Sequence, residues 1–230
     1  MGRWNGGYLR IERASIFAMI YPINLHQHGQ SREGISIQNF DYWETTEIPE
    51  GFFSAGIHPW FTPTESQWQA IQQAWNNPRC LALGECGLDR LRGPSIEEQQ
   101  KWLCFQLERT DLPVIVHAVR VDSDLLKVIR QYASKKWVIH GVIGKWERWK
   151  KFADAGVHLS FGKGLLTDGS TRETFRNCPK SQIFLETDAA DPEIIHHLYA
   201  LAAELQQKEL NVLKREIWSN FVATFDRYGT

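Results

Sequence analysis

The chain has 230 residues, 43% of them hydrophobic and 23% charged, with a formal net charge of -1 and a pI near 6.7. That composition suits one globular domain with a sizeable core and excludes a disordered chain. It also excludes a global basic field, so any phosphate binding needs local cations or metal. Cys80, Cys86, Cys104 and Cys178 form no C-x-x-C pair and no framework spacing, which fits a reducing compartment and a cytoplasmic protein. Arg3, Arg10, Glu12 and Arg13 interrupt any apolar leader, and no apolar run reaches the roughly 18 residues of a membrane span. No protein partner is evident.

Residues 1–18, polar and without period at their start, read as a poorly ordered extension, with Met19 a natural start and 19–230 a single domain. Ile23 to His28 is a strand ending in two histidines; His26 and His28, one residue apart, project from the same face. Ile35 to Phe40 alternates as a half-buried strand, and no helix fits between these two. A loop with Pro49 leads to a third strand, Phe52 to Pro59. Thr64 to Trp75 is a helix with a Thr64–Gln67 capping box. Strands then alternate with helices: Leu81 to Glu85, helix Ser95 to Arg109, Val114 to His117, helix Ser123 to Tyr132, Trp137 to His140, and helix Lys145 to Ala155 closed by Gly156. Val157 to Phe161, a weak helix near Thr171 to Asn177, the strand Ile183 to Asp188, and helices over 192–207 and 209–227 complete the chain.

Eight near-continuous apolar strands with helices between most of them imply a parallel sheet covered outside, in a TIM-type (β/α) barrel distorted by the missing first helices. A doubly wound open sheet is the rival. The barrel is favoured because His28, Glu85, His117, His140 and Asp188 all fall at or near strand C-termini, where barrel sites are assembled from several strands, whereas an open sheet gathers ligands at its switch point. With His26, these make six imidazole and carboxylate ligands suited to zinc, iron or manganese. The plainer readings are a lysine-paired Glu85, Asp188 as a helix cap and structural histidines; a shared metal resolves the cost of burying a carboxylate.

These residues sit in motifs that resemble the TatD family of metal-dependent hydrolases, deoxyribonucleases with an amidohydrolase-like barrel. The motifs are Asn24-Leu25-His26-Gln27-His28, Gly56-Ile57-His58-Pro59, Leu83 to Asp89, Leu112 to His117, Ile139-His140-Gly141, Leu159 to Gly162 and Leu185 to Ala189. The resemblance implies a divalent-metal-dependent phosphodiesterase or deoxyribonuclease acting on nucleic acid or a small phosphodiester. It implies two divalent ions (zinc, magnesium or manganese), one held by His26, His28 and Asp188, the other by His117 and His140, with Glu85 between them. Two such ions activate water against a phosphodiester, and Asp188 takes the proton as general base.

The chain departs from the family pattern at several points. Asn24 stands where aspartate is usual, altering support of the histidine pair. Val119 and then Arg120 follow His117, where the family commonly has arginine two residues on, and Ala189 and Ala190 replace a proline and an aromatic. These changes concern substrate more than metal. His58, Arg120 and Lys145 are candidate substrate contacts, set against a strand-closing histidine and solvated charges. Trp60 either stacks on a base or is buried; Asp89 and Arg90 read as a local ion pair; Cys86 and the Trp146–Trp149 pair read as packing. The alternatives to a nuclease are a metal-dependent amide or ester hydrolase and a non-catalytic barrel used as a binding module, which the intact ligand set opposes.

Overall fold

The computed structural model describes residues 22–29 and 34–228. The proposed extension, 1–18, and the start at Met19 lie outside them. Eight parallel strands follow one another in sequence order around a ring: β1 (Ile23–Gln27), β2 (Ile35–Asn39), β3 (Phe52–Ala55), β4 (Cys80–Asp89), β5 (Val114–Val119), β6 (Trp137–Ile139), β7 (His158–Phe161) and β8 (Ile183–Leu185). The ring is nearly closed, and a single parallel bridge from Gln27 to Asp188 joins its ends. Among the described residues no helix intervenes between β1 and β3. Thereafter α1 (Glu65–Trp75), α2 (Ile96–Leu107), α3 (Asp122–Gln131), α4 (Trp146–Ala153), a pair α5 (Gly164–Thr167) and α6 (Gly169–Asn177), α7 (Ile194–Leu205) and α8 (Leu210–Thr224) surround the strands. No described helix is long and apolar enough to cross a membrane.

Local chemistry explains most boundaries. Thr64 caps α1 with the expected box: its hydroxyl accepts from the Gln67 N–H, and Gln67 accepts from the Thr64 N–H. Gly156, at φ +81°, ends α4 by donating to Ala153 while Val157 donates to Phe152. Two strands differ most from expectation. β3 stops at Ala55, because the Ile57 N–H is taken by the buried Gln106 side chain instead of a ladder partner. β4 runs on to Asp89, pairing Cys86 to Asp89 with Val116 to Val119. Gly87 permits this: a Cβ there would lie 2.2 Å from the His117 carbonyl oxygen, so only glycine allows β5 so close. The single weak helix expected near 171–177 is the α5–α6 pair.

Asn24 ties the two ends of the ring together. Its Oδ1 accepts from the Thr187 N–H at 3.0 Å, and its Nδ2 donates to Thr187 Oγ1 at 2.8 Å and Gln27 Oε1 at 2.7 Å. Tyr199 of α7 clamps β1 from outside, its hydroxyl accepting from the Ile23 N–H and donating to the Ile23 carbonyl. Asn24 therefore supports the seam and makes no hydrogen bond to either histidine. Replacing Asn24 with alanine leaves the buried Thr187 N–H unpaired, at a cost of about 1–3 kcal/mol. Thermal denaturation of Asn24→Ala is expected to show a Tm lower by roughly 3–10 °C, and an unchanged Tm would remove this role.

Candidate active site

Glu85, at the middle of β4 and buried, is the hub of the site. Its Oε2 lies 3.3 Å from His26 Nε2 and 3.4 Å from His28 Nε2. Its Oε1 lies 2.8 Å from both His117 Nδ1 and His140 Nε2, and 3.3 Å from His58 Nε2. One carboxylate thus presents each oxygen to a different set of imidazoles. Asp188 approaches from the ring closure, its Oδ1 3.6 Å from His28 Nε2 and 3.8 Å from His26 Nε2. The backbone fixes that approach: Asp188 N donates to the His26 carbonyl and His28 N to the Asp188 carbonyl. Asp188 sits at φ +53°, a left-handed conformation that aspartate tolerates better than most residues.

A second layer of carboxylates orients the rings. The Nδ1–H of His28 donates to Asp41 Oδ1 at 2.9 Å, which turns Nε2 toward the site and leaves it as the lone-pair nitrogen once the ring is neutral. The Nε2–H of His117 donates to Asp89 Oδ2 at 3.1 Å, which turns Nδ1 toward Glu85 Oε1. Glu186 stands 3.6 Å from His140 Nδ1 and accepts from the Gly141 N–H. Asn39 links the layers, accepting from the Glu85 N–H at 2.7 Å and donating to Asp41. His58 is different. Its Nδ1 accepts from the Trp60 N–H at 3.2 Å, so its proton is on Nε2, where it can be donated to Glu85 Oε1 or to a bound oxygen.

Charge follows this geometry. Burial would lower the His28 pKa, but hydrogen bonds from Asp41 and Glu85 outweigh it and lift it to about 10. His140, also opposed by burial, is raised well above the usual histidine range by Glu85 and Glu186. Burial pushes Glu85 up, yet His140, His117 and His26 hold it well below the usual carboxylate range. His58 is lowered by burial, only partly offset by Glu85, which keeps it neutral near pH 7. For Asp89, burial pushes up while Trp60, Leu91 and His117 together hold it down.

The donor set fits divalent metal. His26–His28–Asp188, His26–Glu85–His140 and His58–Glu85–His117 each bring three possible ligand atoms within 4.8 Å of one another. Neither ring nitrogen of the fully buried His26 makes a well-formed hydrogen bond, nor does His140 Nδ1. A buried imidazole aimed at a carboxylate without bonding it is costly by itself and is satisfied by a cation between the two.

The six residues expected as ligands, His26, His28, Glu85, His117, His140 and Asp188, are brought together at one mouth of the barrel. Sequence reasoning missed the supporting roles of Asp41 and Glu186, although both follow strand ends, and it misassigned Asp89. Asp89 does not pair with Arg90; it accepts from His117 and from Trp60 Nε1 (2.6 Å), while Arg90 reaches Asp124. Arg90 follows the end of β4 and is exposed, so its charge is satisfied at the surface. Cys86 is a buried thiol pushed up by burial, as expected of packing. Trp60 is only half-buried and lines the cavity over the site, with His58. Arg120 and Lys145 are exposed and stand outside the cavity lining.

That cavity, about 1150 Å³, extends past the mouth. Ser36, Gln38, Asn39 and Phe40 line it, so it continues along β2 beyond the cluster. The loop 41–51 forms its far side, occupying the place where a barrel usually carries helices.

A parallel barrel with this histidine and carboxylate cluster at its C-terminal mouth defines a metal-dependent hydrolase. The chain belongs to the TatD related DNase family, whose model matches residues 28–226. It is 26% identical over 199 residues to the uncharacterized metal-dependent hydrolase YjjV of Escherichia coli, a match covering 76% of each chain. The crystal structure of that TatD homologue is similar with a TM-score of 0.69, at 25% identity and 76% coverage of each chain. The chain is also 28% identical over 156 residues to the 3'-5' ssDNA/RNA exonuclease TatD of Escherichia fergusonii, spanning 61% of this chain and 58% of that one.

Two outcomes follow from the ring support. Without metal, His28 is protonated at pH 7 because its pKa is raised to about 10, and its proton must leave before Nε2 can ligate. Apparent metal affinity is therefore expected to rise with pH through the neutral range, with protons released on binding, measured by calorimetry in buffers of different ionisation enthalpy. Asp41→Asn is expected to weaken metal affinity by about 10- to 100-fold, read by competition with a chelator.

Proposed function

We propose that this chain is a two-metal phosphodiesterase acting on nucleic acid or a small phosphodiester, with His26, His28 and Asp188 on one ion, His117 and His140 on the other, and Glu85 between them. The observation that carries the reading is the division of Glu85, whose two oxygens each face a separate group of imidazoles. The exonuclease relative supports nucleic acid as the substrate. When bound, the ions would bring water deprotonation within reach of neutral pH and neutralise charge developing on the phosphodiester.

The residues of the chain do the rest. Asp188, with a side chain 46% exposed, keeps solvent access while its Oδ1 faces the histidine pair, and it accepts the proton of the attacking water as general base. His58 donates its Nε2–H to a phosphate oxygen, a role its tautomer favours over ligation. Asp89, Asp41 and Glu186 hold the rings in place. Arg120 and Lys145, outside the cavity, meet phosphates farther along a longer substrate.

Metal analysis of protein purified without chelator is expected to find one to two equivalents of divalent ion, fewer in His117→Ala. A metal-free native protein would overturn the reading. Asp188→Asn is expected to lower kcat on bis-nitrophenyl phosphate and single-stranded DNA by about 10²- to 10⁴-fold, with the fold unchanged by circular dichroism. Hydrolysis of carboxylic esters alone, with neither phosphodiester cleaved, would transfer the protein to the ester hydrolase alternative.

A further inference from the structure

The cavity beside the site has a composition unlike a track for a polyanion. Among its described lining residues there is no lysine or arginine, while Asp41, Glu44, Glu47 and Glu50 recur every three residues along the loop 41–51. Glu44, Glu47 and Glu50 are exposed. A phosphate placed along this loop would meet the like charge of these acids, and phosphate contacts normally require cations. Arg92 stands over Trp60, 4.6 Å from its ring centroid, and the remaining cations near the mouth lie elsewhere: Arg120 follows β5 and Lys145 precedes α4 after β6. In an eight-stranded ring these are across from β1 and β2.

The wall of the same cavity is aromatic. Trp43 stacks on Phe61 with centroids 4.9 Å apart and planes at 26°, and its ring is 5.4 Å from His58. His58 in turn touches Glu85, which places this stack one side chain from the hub of the site. Trp43 and Phe61 are only half-buried. A half-exposed tryptophan braced on one face is a stacking surface for a planar, uncharged ring.

Resting on the phosphodiesterase reading, we infer that loop 41–51 is a nucleoside-specificity element: Trp43, braced by Phe61, takes the base of a terminal nucleoside, and Glu44, Glu47 and Glu50 exclude a second phosphate from that end. The phosphate chain of a longer substrate leaves toward Arg120 and Lys145. The substrate class is thus a phosphodiester whose cavity-side group is a nucleoside with a free hydroxyl end.

The test uses the full chain with Mn²⁺ and three substrates: a dinucleoside monophosphate, its analogue lacking the terminal base, and the same dinucleotide carrying a terminal phosphate. The wild type is expected to prefer the first over the abasic analogue by about tenfold in kcat/KM, the order of one base–aromatic stack. Trp43→Ala should bring that ratio close to one, and Trp43→Phe should restore most of it. The triple variant E44Q/E47Q/E50Q, altered only at exposed positions, should raise kcat/KM on the terminally phosphorylated substrate by about tenfold, consistent with removing like charge near the anion. A base preference unmoved in Trp43→Ala, or terminal-phosphate discrimination unmoved in the triple variant, would overturn the inference while leaving the phosphodiesterase reading intact. A cationic alkyl phosphodiester cleaved better than the dinucleotide would also overturn it. Failure of the wild type to cleave any of the diesters would remove the phosphodiesterase reading and this subsite with it.

Discussion

A carboxylate buried among five imidazoles is the constraint to which the rest of this barrel answers. Glu85 has almost no access to water, so its charge must be balanced by protons or by metal held within a few ångströms. The five rings arrive from four strands, with His26 and His28 both from β1, and each strand must end at the correct height for its ring to reach Oε1 or Oε2. The close passage of β5 over Gly87 sets that height for His117. The outer carboxylates Asp41, Asp89 and Glu186 then fix which nitrogen of His28, His117 and His140 faces inward, so that the charge of Glu85 is met by lone pairs or protons at defined places.

Much of this was legible in the chain itself because it depends on local pattern. Apolar runs of strand length separated by capped helices implied a parallel barrel, and histidines and acids at their ends implied a metal centre. What was not legible depends on approach between segments far apart in sequence. The strand Leu81 to Glu85 was expected to end at its acid, since nothing local says that Gly87 gives β5 the space to pair as far as Asp89. Asp89 looked like a partner for Arg90, since nothing local says that His117 and Trp60 will converge on it. Asn24, read as altered support for the histidines, instead joins Thr187 across the seam, a contact between residues 163 positions apart.

The shortened region between β1 and β3 changes what kind of surface surrounds the site. Elsewhere the outer faces of the strands are covered by helices and their residues answer to packing. Along β2, Ser36 and Gln38 answer instead to whatever fills the cavity, and the loop 41–51 combines support of His28 through Asp41 with a wall of aromatic and acidic side chains. Support and selectivity therefore occupy one short segment, whereas in a complete barrel they are spread over separate loops.

The closure between β1 and β8 has a consequence for how the protein is assembled. The bridge from Gln27 to Asp188 and the reciprocal hydrogen bonds of His26, His28 and Asp188 join the first strand to the last, so three of the proposed ligands come together only when the chain has completed its circuit. A ligand that binds this arrangement and not its open form stabilises the closed ring by mass action. The ion at this position would thus act as a clasp on the molecule's own topology, making cofactor acquisition the concluding event of folding as well as the start of chemistry.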